Sequence, residues 1–356
     1  VAVITTEGWE RENSVAGHGW AVSLGNQGTA TLPTGRFDAH CMQLLAATSN
    51  SDGLVHSIQK TLTLDGAPIS RANIGIAMGF GIVSDARSSG GAMVVQFFEG
   101  ATEHVRIAYD LTTHLLVASR AGTTLGTSTN PLVVGQWHHI EVWTEIHDSA
   151  GVVQVWLDGV LEINVSGVDT RNGGTSGVCS IVSFRCNGFT NSTPGRHKYD
   201  DIVIYDDLGG INDTAPLGDM RIAWLQPSGA GSESDWAANT GSEAAAVDEA
   251  AGPDDDTTYI HSTVVGDRES LALADTPSSG TVVAVNTYVY ARKADSGARQ
   301  IKTVLDTGAN EAASPDWALT STYAYKNHID DEKPAGGAWG STTVINGAEL
   351  AVELVS

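Results

Sequence analysis

The sequence predicts an all-β protein made of two antiparallel β-sandwiches, and three observations point there. Hydrophobic residues make up 41% of the chain but fall in short Val- and Ile-rich runs bounded by Gly, Ser, Thr and Asn. Within those runs apolar and polar residues alternate, the period of a strand with one buried face. The chain has 356 residues and 40 glycines, a length that favours two cores and a turn-rich texture typical of β proteins.

From Trp9 to Phe37 the chain reads as a strand pair around Gly19–Leu24, a turn at Gly25-Asn26-Gln27-Gly28 and a further strand. Half-buried strands follow over Ile58–Leu64, Ile74–Val83, Ala92–Phe98, Val105–Tyr109 and Leu115–Ser119. The best-patterned stretch is Gly135–Thr144, a turn at Asp148–Gly151, then Val152–Leu157 ending in the hairpin signal Asp158-Gly159. Val160–Val165 then returns, and Tyr199–Asp206 is expected to close the first sandwich.

Residues 208–217 have linker composition, which sets the expected domains at 1–207 and 218–356. In the second, Ser242–Glu249 is the one tempting helix, and a helix of that length is marginal alone. Strands are expected at Thr257–Val265, Glu269–Leu273, Thr281–Lys293, Ala298–Leu305, Ser321–Lys326 and Ile345–Val355, a second sandwich.

Nineteen basic against 42 acidic side chains give a net charge of −23. A polyphosphate would be repelled rather than release counterions, so nucleic acid and anionic membrane are poor partners. The charge also serves solubility, with cation binding or repulsion between neighbouring copies as the functional alternatives. Cys41, Cys179 and Cys186 make neither an even disulfide framework nor a CxxC metal pair. They read as buried small hydrophobes, with a Cys179–Cys186 bridge as the alternative. The first residues lack the regions of a secretory signal, and no stretch approaches the roughly 18 apolar residues of a membrane span.

The segment Gly135-Gln136-Trp137-His138-His139-Ile140-Glu141-Val142, followed by Val155-Trp156-Leu157-Asp158-Gly159, resembles the central signature of laminin-G-like domains of the concanavalin superfamily. The resemblance covers roughly residues 1–207. It implies a jelly-roll sandwich in which Trp137 packs between the sheets and Asp158-Gly159 joins neighbouring strands. A narrower resemblance runs from Tyr199–Asp206 through Gly218–Ile222 and Gln226–Gly231 to Pro253–Ile260. That order is similar to virion proteins of tailed phages, in which a laminin-G-like module precedes a second β domain. It implies a particle assembled in bacterial cytoplasm, with Val1 following removal of the initiator Met.

Paired-carboxylate glycoside hydrolases of this superfamily need a run of the form Glu-x-Asp-x-Glu, so that acid and nucleophile flank one bond. The chain has no such run, and Glu141, Glu145 and Glu162 read as solvated strand positions. His138 and His139 are neighbours on a strand and point to opposite faces, one packed and one at the surface. No Gly-x-Ser-x-Gly elbow, His-Glu-x-x-His or phosphate-cradling loop is present.

Two acidic clusters, Asp200, Asp201 and Asp206 (with Asp207) and Asp254, Asp255 and Asp256, are candidate Ca²⁺ ligands at a sandwich rim, although the spaced Asp-x-Asp-x-Asp-Gly pattern is missing. The competing readings are an alternating strand for the first and a charged loop or cap for the second. Trp137, Trp143 and Trp156 fall on strands and read as core. Trp236, Trp317 and Trp339 fall in Gly/Ser/Pro/Asp-rich loops, as candidates for an interface or for glycan stacking, with the plugging of a sandwich end as the alternative.

These readings give an expectation of a non-enzymatic structural or adhesive virion subunit, tail-associated or head-decorating. It would form a homo-oligomer among other virion proteins, contact host-surface glycan, require no cofactor beyond optional Ca²⁺, and act by multivalent display. The alternative is a lectin-like adhesin; a polysaccharide-degrading enzyme ranks last.

Overall fold

A computed structural model describes residues 2–9, 19–24, 29–37, 40–45, 55–84, 91–173, 176–187, 195–249, 252–277 and 279–356. The expected turn at Gly25–Gly28 lies outside the described residues. Two compact units emerge, the first from Ala2–Thr63 with Pro68–Ile222 and the second from Leu64–Ala67 with Ala223–Ser356.

The first unit is a sandwich of two antiparallel sheets. Its strands begin with β1 (Val3–Glu7), β2 (Trp20–Ser23), β3 (Thr29–Thr31), β4 (Met42–Leu45) and β5 (Val55–Thr61). A small ribbon apart from both sheets, β6 (Thr63–Leu64) and β7 (Ala67–Pro68), whose Leu64–Ala67 are counted with the second unit, precedes β8 (Asn73–Ser84), β9 (Gly91–Glu99), β10 (Thr102–Asp110), β11 (Leu115–Arg120) and β12 (Thr123–Pro131). Then come β13 (Trp137–Glu145), β14 (Gly151–Leu157), β15 (Val160–Val168), β16 (Ile181–Asn187) and β17 (Arg196–Tyr205). One sheet runs β15-β14-β13-β8-β17-β4-β3, with β1 also on β17, and the other runs β12-β11-β10-β9-β16-β5-β2.

The hairpin expected at Asp158-Gly159 is present, joining β14 to β15, with both residues at positive φ. β17 closes the sandwich as its last strand in chain order, as expected, and lies between β8 and β4, where its Ile202-Val203-Ile204 run is buried. β8 departs from the expected half-burial. Ile74, Ile76, Met78, Phe80 and Ile82 fill the inter-sheet core while Gly75, Ala77 and Gly79 alternate with them on the outer face, yet Ile74–Ile82 are all buried. The small outer residues leave room for side chains to lie flat on the strand: the Tyr205 ring on Gly75, Arg36 on Gly79 and Trp137 against Gly81.

Trp137 therefore does not pack between the sheets. Ile140 and Val142 hold the inward phase of β13, which leaves Trp137, His139, Glu141 and Trp143 on the outer face. Trp156 lies opposite Glu141 in register and shares that face, outside the inter-sheet core. Cys41, Cys179 and Cys186 are buried and, among the described residues, joined in no disulfide, and burial pushes the Cys179 thiol up to about 12.

The second unit contains β18 (Pro227–Ser234), β19 (Ala237–Ala238), β20 (Ile260–His261), β21 (Arg268–Leu273), β22 (Thr281–Val282) and β23 (Val285–Ala291). It continues with β24 (Gln300–Asp306), β25 (Glu311–Ala313), β26 (Trp317–Ala318), β27 (Ala324–Asp330), β28 (Gly340–Ser341) and β29 (Glu349–Leu354). Its main sheet runs β18-β21-β29-β24-β25, with β26 also on β24, and β23 pairs with β27 as a separate ribbon. The expected helix at Ser242–Glu249 is only a 3-10 turn, Ala244–Ala246. Among the described residues, no helix is long and apolar enough to cross a membrane.

Candidate functional site

The two expected calcium clusters are built differently. In the first, Asp200, Asp201 and Asp206 are buried and engaged by protein donors. Asp200 Oδ2 accepts the Arg36 amide at 2.7 Å, Asp201 Oδ1 accepts the Ile222 amide at 2.8 Å, and Asp206 pairs with Arg71 while accepting the Leu208 amide at 2.9 Å. Asp201 sits at positive φ where the β17–β8 register shifts, so strict alternation breaks there. Among the described residues, no group of three or more His, Cys, Asp or Glu side chains is placed to hold a metal ion.

Beside these carboxylates, the outer face of β13 carries a second polar group. Glu141 is fully buried and accepts the Tyr205 hydroxyl at 2.5 Å and the amides of Leu217 and Gly218 at 2.6 and 3.0 Å. Arg36 grips Asp219 through both terminal nitrogens, at 2.6 and 2.7 Å. Residues 217–222, partly inside the expected linker, thus pack onto the sheet and seal it. The sealing also buries His139, which is 2% exposed and whose imidazole has no hydrogen-bond partner among the described residues. Desolvation holds His139 below its ordinary pKa of 6.5. Glu141 and His139 are therefore not solvated positions, and His138 is buried too, bonded to Asp158 and the Val133 amide.

The loop tryptophans are placed by packing. Trp339 is 1% exposed and anchors a cluster with Leu305, Ile345 and Ala348; Trp317 is 6% exposed and packs with Ile301 and Leu354. Trp236 is half-buried against that second cluster and donates its indole N–H to the Asp267 carbonyl at 3.2 Å. Trp317 and Trp339 thus have no ring face to offer a glycan, because the second unit's small clusters need large rings to fill them.

An open surface appears elsewhere, on the β23–β27 ribbon. Thr287 and Val289 face the main sheet, with Val289 in the Trp317 cluster and the Thr287 hydroxyl 3.3 Å from that of Thr303. Alternation then turns Tyr288, Tyr290 and, across the ribbon, Tyr325 to the other side. Tyr290 stacks on Tyr323 with centroids 5.0 Å apart and planes at 10°, and meets Tyr325 at 4.6 Å. Trp224, 40% exposed, lies 6.4 Å from Tyr288, and the Arg292 guanidinium lies 5.1 Å from the Tyr323 ring centre.

Asp255 and Asp256 border this aromatic row. Asp255 accepts the Tyr290 hydroxyl at 3.2 Å; Asp256 accepts the Tyr323 hydroxyl at 3.0 Å and Arg292 at 2.7 Å. With Ser321 and Thr322 they line an open groove of about 510 Å³. The hydrogen bonds with Arg292 and Tyr323 hold Asp256 below its ordinary pKa, and the bond with Asp256 holds Arg292 above its own. Desolvation first, then the carboxylates, push Tyr290 and Tyr323 up, so both phenols keep their protons. The third member of the expected acidic cluster, Asp254, instead caps its own loop through the Thr258 amide and hydroxyl.

Asp255 and Asp256 were thus singled out from the sequence for a metal, and the structure brings them to an aromatic groove. The tyrosines were missed, although Tyr288-Val289-Tyr290 and Tyr323-Ala324-Tyr325 sit on expected strands at the two-residue spacing that places them on one face.

No protein-family model matches the chain, and no curated protein matches it in sequence. Solved structures similar to it include an endo-β-1,4-glucuronan lyase from the fungus Trichoderma reesei, at 14% identity and TM-score 0.42, covering 53% of this chain and 91% of that one. A carbohydrate esterase from the Shiga toxin-encoding bacteriophage phi24B gives 12% identity and TM-score 0.40, covering 57% and 98%. Botulinum neurotoxin type C, in a structure concerned with its interaction with two ganglioside molecules, gives 12% and 0.39, covering 57% and 47%. At such identities and scores the likeness is one of fold. The expectation that the chain is not an enzyme is withdrawn: a lyase and an esterase stand among the similar structures, and the likeness assigns this chain no activity of its own. The missing carboxylate run bears on paired-carboxylate hydrolysis alone and does not reach elimination or ester cleavage.

Proposed function

We propose that this chain engages carbohydrate through the aromatic face of the β23–β27 ribbon. The observation that carries the reading is the open groove lined by Tyr290, Tyr323, Asp255, Asp256 and Arg292, beside which Tyr325, Tyr288 and the exposed Trp224 extend the aromatic row along the ribbon. An aromatic ring offers an apolar surface to the C–H face of a pyranose, while carboxylates accept the hydroxyls at its rim. Such sites combine apolar area with a few placed polar groups.

The finer reading is an adhesive or structural subunit of a tailed-phage particle, meeting host-surface glycan and neighbouring virion proteins. It is supported by the sequence resemblance running from Tyr199 to Ile260 and by the charge of −23, which keeps free copies apart. Repetition on a particle would sum modest contacts into firm attachment.

A glycan array probed with the chain and with Trp224→Ala tests the carbohydrate reading, and signals lost in the variant are the expected result. Mass spectrometry of purified phage particles tests the finer one, with absence from the particle counting against it.

A further inference from the structure

We infer that the groove takes a non-acidic glycan, one whose rim presents hydroxyl donors and no carboxylate, sulfate or phosphate. This rests on the carbohydrate reading above and narrows it to a ligand class.

The hydrogen-bond inventory of the groove sets the class. Arg292 is the single cation among the lining residues, and its Nε and Nη2 both lie on Asp256 Oδ1, at 3.2 and 2.7 Å. Two of its five N–H donors thus go to one carboxylate oxygen, its charge is paired with Asp256, and its Cζ lies over the Tyr323 ring. The phenol protons of Tyr290 and Tyr323 are directed at Asp255 and Asp256. One guanidinium against two carboxylates leaves the lining net negative, within a chain that is itself strongly acidic.

An acidic sugar would thus bring an anion toward a rim whose one cation is already paired with Asp256 and outnumbered by carboxylates two to one, and would lose hydration against a net negative lining. A hydroxyl-rich sugar meets the opposite situation. Among the described residues, Asp255 receives a single side-chain bond, from a neutral phenol, and a carboxylate has lone pairs for several more. Ser321 and Thr322 add hydroxyls that donate or accept as required.

Affinity electrophoresis of the full chain tests the class, using gels that contain a neutral β-glucan, a neutral galactomannan, polyglucuronate or alginate. Trp224→Ala, at an exposed position, and Tyr290→Phe, which removes one hydroxyl, serve as variants, with circular dichroism to verify folding. The expected result is retardation by a neutral polymer, weakened roughly tenfold by Trp224→Ala, unchanged by added salt, and no retardation by either uronate polymer. Retardation by a uronate polymer that Trp224→Ala abolishes would overturn the ligand class while leaving the site in place. Retardation by no polymer, or retardation indifferent to both variants, would overturn the carbohydrate reading itself.

Discussion

The phenol ring of Tyr205 lies directly on Gly75, so close that a Cβ built there would stand 2.2 Å from the ring's Cζ. Beyond the ring, the Tyr205 hydroxyl donates to Glu141 at 2.5 Å. A glycine on β8 is thus what lets an aromatic side chain from β17 cross the outer face of the sheet and reach a carboxylate on β13.

Gly75→Ala should destabilise the first unit by roughly 1–3 kcal/mol, the usual cost of forcing extra volume into a packed site. The ring must move and its hydrogen bond must lengthen. Urea unfolding followed by tryptophan fluorescence measures the change, and an unaltered midpoint would mean that the ring has room the structure denies it.

Glu141→Gln tests the seal over the same face. Three donors converge on the Glu141 carboxylate, from Tyr205, Leu217 and Gly218. An amide offers one oxygen and one NH₂ in its place, so at least one donor meets another donor. The expected cost is about 1–3 kcal/mol, the penalty of a buried polar group left unsatisfied. Limited proteolysis should cut residues 217–222 faster in the variant than in the parent.

His197 makes stability depend on pH. Its Nδ1 lies 3.1 Å from the Arg185 carbonyl, which only accepts, so Nδ1 carries the proton and Nε2 accepts from the Tyr109 hydroxyl at 2.9 Å. Burial pushes its pKa from 6.5 down to about 4. Between those values the unfolded chain binds a proton that the folded chain refuses. Stability is therefore fully present above about pH 6.5 and falls as pH drops toward 4, by about 3 kcal/mol in all. Urea midpoints at pH 7 and pH 4.5 should differ less in His197→Gln than in the parent. Equal differences in the two proteins would remove His197 as a source of the dependence.

The β character and many strand positions were legible because alternation is a local signal; Gly135–Thr144 and Val152–Leu157 pair as β13 and β14. The phase of alternation was harder to read. Trp137 and Ile140 are both apolar, and their three-residue separation puts them on opposite faces, so the sequence leaves open which face meets the second sheet. The same limit hid the groove. Tyr290 and Tyr323 lie far apart in sequence and converge through β23–β27 pairing, with Asp255 and Asp256 brought in from a separate loop. A composition-based reading instead favours Trp339, whose Gly-rich neighbourhood looks like an exposed loop but lies over a small core.

Trp339 and Trp224 should therefore behave oppositely on substitution. Trp339 fills the cluster of Leu305, Ile345 and Ala348, and its indole N–H donates to the Asp330 carbonyl at 2.8 Å. Trp339→Ala should cost roughly 3–5 kcal/mol, because it leaves a large cavity in a core of few residues and strands a carbonyl. Trp224→Ala removes an exposed ring and should change stability by less than about 1 kcal/mol. Thermal unfolding of both variants, read beside polymer retardation, separates the two roles: Trp339→Ala should lower the melting temperature of the second unit, and Trp224→Ala should weaken retardation with the melting temperature nearly unchanged. If Trp224→Ala lost stability as Trp339→Ala does, its ring would be a packing element, and the aromatic row would lose its most accessible stacking face.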